Sequence, residues 1–317
     1  ALPLRWIGLY ARRPELSTNR LPLPMNGILD CHIHAYPPEV FNDPRAWGEA
    51  HDEPWFTHCV APANQPTIQA WADTDTLLRD MDRAGVEKVI MLGWYWETCE
   101  IQNQWFMDRH REHPDRIHAF ATVKPSSGQR GLDNVNRCLD AGLCGLGELL
   151  PQAQGFSFQD DDFAKLVEVA VAADVPFNLH VTDPLIIGEA STYPTPLGDY
   201  LQLAMDYSEA TFILAHWGGG IPFFEQNPRV KAHLKNIYYD TAASPLLYDK
   251  EIFRHVTDII GSDRILFGTD YPIMLYPRDS KDADFSRMIS DIRAAGLTDA
   301  EYDAIMGGNL RRLMGWD

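Results

Sequence analysis

Three things are scarce in this 317-residue sequence: paired cysteines, basic residues and long apolar runs. Its five cysteines include no Cys-x-x-Cys pair, which argues against both a disulfide framework and a cysteine-rich zinc site. No stretch reaches the ~18 apolar residues that span a bilayer, and the N-terminus lacks the apolar segment of a signal peptide. We therefore expect a cytoplasmic protein with reduced thiols and no membrane partner.

Basic residues are outnumbered, since 27 Lys and Arg face 45 Asp and Glu, giving a formal net charge of −18 at pH 7. Phosphate backbones repel such a chain, which argues against a nucleic-acid partner. With 45% hydrophobic and 23% charged residues, the composition is otherwise that of a globular protein. A small-molecule substrate is the expected partner, and assembly into a homo-oligomer is left open.

A short apolar run followed by an amphipathic helical stretch repeats eight times. The runs span residues 27–34, 86–92, 117–123, 143–150, 175–181, 211–217, 236–242 and 264–270. Their near-continuous apolarity is typical of strands buried on both faces of a parallel sheet. Eight β/α repeats predict an α/β fold, the (β/α)8 TIM barrel, whereas six or seven would favour an open sheet.

The barrel is predicted to occupy residues 25–317 as a single domain, because no linker or charge run divides it. The long connection from Ala35 to about Asp73, rich in tryptophan, is predicted to be an ordered lid formed by the first β/α loop. Residues 1–24 are rich in Arg, Leu and Pro without a helical or strand period. They are interpreted as an N-terminal arm or a remnant of processing.

Catalytic residues of such barrels gather at the carboxyl ends of the strands. Those ends carry four histidines and three acids, which packing alone does not explain: His32, His34, His180, His216, Glu148, Asp240 and Asp270. His32 and His34 are separated by one residue, so both face the same side of the first strand and can chelate one ion. With His180 and Asp270 they suit Zn²⁺ or a related divalent ion, with a water in an open position. Asp240 is expected to orient a loop or a histidine.

The His-x-His pair, the histidines that end strands five and six, and the AHWGGG and FGTDYP segments resemble the amidohydrolase superfamily, from about Gly27 to Trp316. The resemblance is closest to the branch that contains metal-dependent hydrolases and the aminocarboxymuconate-semialdehyde and γ-resorcylate decarboxylases. It implies metal ligation by His32, His34, His180 and Asp270. It also implies that His216 polarises a substrate carbonyl or holds its carboxylate.

Glu148 stands where two-metal amidohydrolases commonly carry a carboxylated lysine. It resembles the strand-four glutamate of the TatD-like deoxyribonucleases, which touches the metals. Four roles are open for it: a further ligand, a bridge between two ions, an acceptor that fixes a histidine tautomer, or an exposed loop residue. The expected cofactor is one or two divalent ions per chain, with zinc as the favoured ion.

Other residues that follow strand ends are predicted to contact the substrate: Trp94, Lys124, Trp217, Tyr271 and Arg278. We predict a metal-dependent hydrolase of a C–O or C–N bond in a lactone, ester or amide. Asp270 would act as the base, and the metal with His216 would stabilise the oxyanion.

The alternative is a metal-dependent non-oxidative decarboxylase of an aromatic or unsaturated carboxylic acid. Hydrolysis is preferred because a decarboxylase must anchor a carboxylate, and Lys124 is the one cation directly at a strand end. A third, remote alternative is an inactive barrel that serves as a binding scaffold.

Overall fold

A computed structural model describes residues 24–25, 27–62, 67–185 and 195–316. Eight strands lie within the eight predicted apolar runs. They are β1 (Ile28–Ile33), β2 (Val86–Met91), β3 (Ile117–Ala119), β4 (Leu146–Leu149), β5 (Phe177–Leu179), β6 (Phe212–Leu214), β7 (Ile237–Asp240) and β8 (Ile265–Leu266). Residues 1–23 of the predicted arm lie outside the described residues.

The strands pair in parallel as a sheet of β1-β2-β3 and a sheet of β4-β5-β6-β7-β8. Backbone hydrogen bonds join the two sheets at both seams. Gly147 N donates to Ala121 O (3.0 Å), and Asp270 N donates to His32 O (2.9 Å). The predicted α/β barrel is confirmed, and its strand ends face one another across a common mouth.

Helices alternate with the strands. They are α1 (Pro38–Phe41), α2 (Pro44–Ala50), α3 (Pro54–Val60), α4 (Thr74–Ala84), α5 (Cys99–Glu112), α6 (Gln129–Asp140), α7 (Pro151–Gln154), α8 (Asp161–Ala173), α9 (Leu197–Asp206), α10 (Ile221–Phe224), α11 (Pro228–His233), α12 (Ser244–Leu247), α13 (Ile252–Ile260), α14 (Phe285–Arg293), α15 (Asp299–Asp303) and α16 (Asn309–Met314). Among the helices of the described residues, none has the length and apolarity needed to cross a membrane.

Helix α4 shows how local sequence sets these elements. The Asp73 side chain accepts a hydrogen bond from Thr76 N and caps the first turn. Leu77 and Met81, four residues apart, are both fully buried, so one face of the helix packs on the core. Gly85 ends the helix with φ of 75°, a left-handed conformation that glycine adopts without a Cβ clash.

The described part of the connection between β1 and α4 packs around an apolar cluster of its own. Residues 63–66 lie outside the described residues. Helices α2 and α3 bring Trp47 and Phe56 onto Tyr95, with ring centroids 4.5 Å and 5.1 Å from the Tyr95 ring. Tyr95 belongs to the loop that follows β2. The first loop therefore packs on the loop after β2, at the barrel mouth.

Candidate active site

Two histidines at the end of β1 present a nitrogen lone pair to the same point. His32 Nδ1 lies 2.8 Å from Asp240 Oδ2, and His34 Nδ1 lies 3.0 Å from the carbonyl oxygen of Leu92. Because a carbonyl or carboxylate oxygen only accepts, each Nδ1 must carry the proton. In the neutral form of each ring the lone pair therefore lies on Nε2, and this is the form that ligates a metal.

Asp240, at the end of β7, fixes this arrangement. Besides the bond from His32, its carboxylate accepts the backbone N–H of His216 (2.9 Å), the N–H of Ala242 (3.0 Å) and the side-chain amide of Asn178 (3.2 Å). Burial alone would raise the pKa of Asp240, but the charge and hydrogen bond of His32 outweigh burial and lower it. The prediction that Asp240 orients a histidine is confirmed.

Glu148 on β4 and Asp270 after β8 complete a group of four acceptor atoms with the two Nε2 atoms. Glu148 Oε2 lies 3.6 Å from His32 Nε2 and 3.9 Å from His34 Nε2. Asp270 Oδ1 lies 3.9 Å from His32 Nε2 and 3.1 Å from His34 Nε2. We call these four residues the acceptor group.

The acceptor group fits a divalent ion. Among the described residues, the buried His32 Nε2 and Glu148 Oε2 atoms have no hydrogen-bond partner, which is costly unless a cation satisfies them. Ligands held about 2.1 Å from a tetrahedral ion are about 3.4 Å apart, close to the four histidine–carboxylate distances of 3.1–3.9 Å in this group. Two imidazoles and two carboxylates are also a common donor set for divalent transition metals.

The second oxygen of Glu148 faces the other pair of histidines. Glu148 Oε1 lies 2.8 Å from His180 Nδ1, which is itself 3.2 Å from His216 Nε2. His180 Nε2 lies 3.2 Å from Thr182 Oγ1, and His216 Nδ1 lies 3.2 Å from Ala242 O. His180, predicted as a ligand, is thus brought beside Glu148 with hydrogen-bond partners on both nitrogens, outside the acceptor group.

The charges of the site favour an ionised Glu148. Burial alone would raise the pKa of Glu148, but the charges of His32 and His180 and a hydrogen bond with His180 hold it well below its usual value. Burial lowers the pKa of His180 itself. Glu148 is 1% exposed, which excludes its interpretation as a surface loop residue.

The AHWGGG segment forms a left-handed turn that positions His216. His216 and Trp217 have φ of 56° and 57°, and Asp270 has φ of 68°, all in a region that costs non-glycine residues energy. Glycines 218–220 continue the turn, and a Cβ on the second of them would lie 2.9 Å from the carbonyl oxygen of Thr182. Both predicted catalytic residues therefore have a strained backbone.

Three tryptophans, Trp55, Trp94 and Trp96, form a stack beside the histidines. The Trp94 ring lies 5.7 Å from the rings of His34, His180 and Trp96, and Trp55 lies 6.1 Å from Trp96 at an interplanar angle of 10°. Trp94 Nε1 donates to His34 Nε2 at 2.9 Å. This tryptophan stack gives the site an aromatic wall.

Glu53, from the first loop, anchors the tryptophan stack and was missed by sequence reasoning. Its carboxylate is 2% exposed and accepts the backbone N–H groups of Trp96 (3.1 Å) and Thr98 (2.6 Å) and the Thr98 hydroxyl (2.7 Å). Nothing in the local sequence distinguishes Glu53 from the exposed acids around it.

Asp30 is a second residue that sequence reasoning missed, although its position on β1 could have identified it. Asp30 lies two positions before His32 on β1, so strand alternation places both side chains on one face. The Asp30 carboxylate accepts the Thr269 hydroxyl at 2.6 Å and the His32 backbone N–H at 3.0 Å. Burial raises the pKa of Asp30 to about 7. Asp30 therefore ties β1 to the residue immediately before Asp270.

The two predicted cationic substrate contacts are not brought to the histidines. Lys124 forms an ion pair with Glu97. It lines a separate cavity of about 240 Å³ that also touches Trp96. Arg278 is exposed in the loop after β8.

The three predicted aromatic contacts do not all lie at the site. Trp217 is fully buried and donates from Nε1 to Ser244 Oγ (2.6 Å), and the buried Tyr271 donates from its hydroxyl to Asp80 (2.8 Å). Of the five predicted substrate contacts, Trp94 is the one whose side chain the described contacts bring against the site histidines.

Comparison with known proteins agrees with the family resemblance seen in the sequence. The sequence profile of the amidohydrolase family matches residues 29–316. The chain is 24% identical over 272 residues to a γ-resorcylate decarboxylase from Polaromonas sp. strain JS666, which covers 70% of this chain and 74% of that protein.

Two solved structures share the fold. A dihydroxybenzoic acid decarboxylase from Polaromonas sp. JS666, with bound manganese and the inhibitor 2-nitroresorcinol, matches with a TM-score of 0.67 and 18% identity over 92% of this chain and 97% of that chain. A 5-carboxyvanillate decarboxylase from Sphingomonas paucimobilis matches with a TM-score of 0.68 and 14% identity over 92% of this chain and 99% of that chain.

Proposed function

The chain belongs to the amidohydrolase family, and from that premise we propose that it is a metal-dependent, non-oxidative decarboxylase of a hydroxylated aromatic carboxylic acid. The alternative that the sequence ranked second thus replaces hydrolysis as the main proposal. Relatives whose names describe decarboxylases of aromatic acids support this ranking.

The observation that carries the proposal is the tryptophan stack beside the acceptor group. An aromatic ring lying on Trp94 would direct a carboxylate at the histidines, because the Trp94 ring is 5.7 Å from both His34 and His180. Offset stacking of two aromatic rings contributes about 0.5–1.5 kcal/mol beyond the area that it buries. A lactone or amide without an aromatic ring would gain no ring stacking from this wall.

We propose that His32, His34, Glu148 and Asp270 hold one divalent ion, with His180 kept as a predicted ligand that elemental analysis and ligand variants must test. Manganese is the favoured ion rather than zinc, because a relative binds manganese. When bound, the ion would supply Lewis-acid stabilisation for the negative charge of the substrate carboxylate and its neighbouring oxygen. The positive charge of the ion would anchor the substrate carboxylate. Hydrolysis had been preferred in the sequence analysis because few strand-end cations were available for that role.

Asp270 is proposed to deliver the proton. Its side chain is 13% exposed, whereas the side chains of Glu148 and Asp240 are 1% and 0% exposed, so Asp270 is the carboxyl of the three that a substrate reaches. Asp270 transfers a proton to the ring carbon that bears the carboxylate, and the bond between that carbon and the carboxyl carbon then breaks. Its electron pair returns to the ring, carbon dioxide leaves, and Asp270 regains a proton from solvent.

The experiment is a paired screen with manganese-reconstituted protein. Hydroxybenzoic acids would be assayed for carbon dioxide release in D₂O beside a panel of lactones, esters and amides. We expect carbon dioxide release with one deuterium on the carbon that lost the carboxyl, and no release from chelator-treated protein. Hydrolysis of the second panel without carbon dioxide release from the first would overturn the proposal.

A further inference from the structure

Two interactions compete for one nitrogen of the site. His34 Nδ1 donates to the Leu92 carbonyl at 3.0 Å, so the single free lone pair of the ring lies on Nε2. The Trp94 indole N–H donates to that atom at 2.9 Å, while Asp270 Oδ1 lies 3.1 Å from it. One lone pair cannot both accept the indole hydrogen and ligate a metal.

We propose that Trp94 and the divalent ion exclude each other at His34 Nε2, and that the displaced indole N–H becomes the hydrogen-bond donor to an oxygen of the bound aromatic acid. Trp94 would then have two states: bonded to His34 in the ion-free protein, and available to an oxygen ligand once His34 coordinates the ion.

The surroundings of Trp94 favour this exchange. Its ring is held by the stack with Trp55 and Trp96, at centroid distances of 6.2 Å and 5.7 Å. The N–H therefore stays at the acceptor group when it leaves His34. An indole nitrogen is a donor only, so it must find an oxygen or nitrogen acceptor or remain unsatisfied in a half-buried position. A carboxylate or phenolate oxygen of the substrate meets this need.

The first half of this inference depends on the metal site alone, and the second half rests on the proposed function. The test uses ¹⁵N-tryptophan-labelled full-length protein and Zn²⁺, which is diamagnetic and permits NMR. The Trp94 indole resonance is assigned as the one absent from a Trp94→Phe spectrum. Addition of one equivalent of Zn²⁺ should move this proton upfield, because its hydrogen bond to His34 is lost.

Addition of 2-nitroresorcinol to the zinc-loaded protein should then move the same proton downfield. An indole resonance that Zn²⁺ binding leaves in place would overturn the exchange. A resonance that moves with Zn²⁺ but not with the phenol would overturn the donor role only. Neither result depends on turnover, so a failed decarboxylase assay would leave the NMR result intact.

Calorimetry gives a second measure. Trp94→Phe keeps an aromatic ring in the stack but removes the indole N–H, so Zn²⁺ affinity should stay equal or rise, whereas 2-nitroresorcinol affinity should fall about 2- to 12-fold. Trp105→Phe, on α5, removes an indole N–H elsewhere and should change neither affinity. Zn²⁺ affinity that falls more than tenfold in Trp94→Phe would contradict the proposal, because Trp94 would then support the metal rather than compete with it.

Discussion

Asp240 controls which nitrogen of His32 is free. Its carboxylate accepts a hydrogen bond from the protonated Nδ1. An asparagine could turn its amide N–H₂ toward that nitrogen and favour the opposite tautomer of His32. We expect Asp240→Asn to weaken Mn²⁺ binding about 10- to 100-fold while the barrel stays folded. Calorimetric titration checks this, with Asp258→Asn on the outside of α13 as the matched control. Equal affinity in the two variants would mean that Asp240 does not set the His32 tautomer.

Asp270 is the residue on which the proposed proton transfer depends. An amide at this position neither carries the proton nor supplies an anionic ligand, so Asp270→Asn should lower the rate of carbon dioxide release about 10²- to 10⁴-fold. The rate is compared at saturating Mn²⁺, with metal content measured for each preparation and folding followed by circular dichroism. Turnover at the wild-type rate would remove Asp270 from the mechanism.

At the scale of elements, Glu53 joins the first loop to the loop after β2. Glu53→Ala leaves three buried or half-buried donors, the backbone N–H groups of Trp96 and Thr98 and the Thr98 hydroxyl, without their acceptor. We expect the free energy of unfolding to fall by about 1–3 kcal/mol. The near-ultraviolet circular dichroism of the tryptophan stack should also weaken.

Glu49→Ala is the control for this prediction, because Glu49 lies in the same loop but is exposed. It should change the free energy of unfolding by less than about 0.5 kcal/mol. Urea unfolding measures both variants, and equal stability would show that Glu53 does not anchor the stack.

The strand pattern and the strand-end acids were predictable, whereas the contacts between them were not. Apolar runs locate β1 and β4 because burial on both faces leaves a local signature, and His32 and Glu148 follow from their positions on those strands. The pairing of His32 with Asp240 joins residues 208 positions apart. Lys124 likewise meets Glu97 instead of the substrate site. Such pairings join residues that only the fold brings together, so the pattern of residues along the sequence does not reveal them.

The segment after α16 carries a pH-sensitive contact. Trp316 stacks on His118 at a centroid distance of 4.1 Å. Burial, with smaller effects from the charges of His110 and Lys88, lowers the pKa of His118 to about 3. Because the folded state then binds fewer protons than the unfolded state, this group's contribution to stability is present above about pH 6.5 and is lost as the pH falls toward 3.

His118→Phe keeps a ring against Trp316 and removes the titration. The drop in urea midpoint between pH 7 and pH 5 should therefore be smaller in this variant than in the wild type. His233→Phe, at an exposed position on α11, should show the wild-type drop. An unchanged drop in His118→Phe would exclude His118 as a source of acid sensitivity.

For the whole molecule, the acceptor group links distant parts of a chain whose net charge is −18. His32 and His34 belong to the end of the β1 strand in one sheet, whereas Glu148 and Asp270 belong to the ends of β4 and β8 in the other. An ion bound there would connect the two sheets and neutralise two negative charges. Since the unfolded chain does not bring these residues together, binding should stabilise the folded state alone.

Removal of the ion should therefore lower the unfolding temperature. At a free Mn²⁺ concentration one hundred times the Kd, the stabilisation is about 2.7 kcal/mol. For domains of 150–250 residues, each kcal/mol of unfolding free energy corresponds to about 2–4 °C in unfolding temperature, and the change is smaller for a longer chain. We therefore expect chelator to lower the unfolding temperature by about 5 °C. Calorimetry checks this on protein whose manganese content has been measured, and Asp270→Asn should show a smaller decrease because it lacks one anionic ligand. An identical unfolding temperature with and without Mn²⁺ would contradict the metal site.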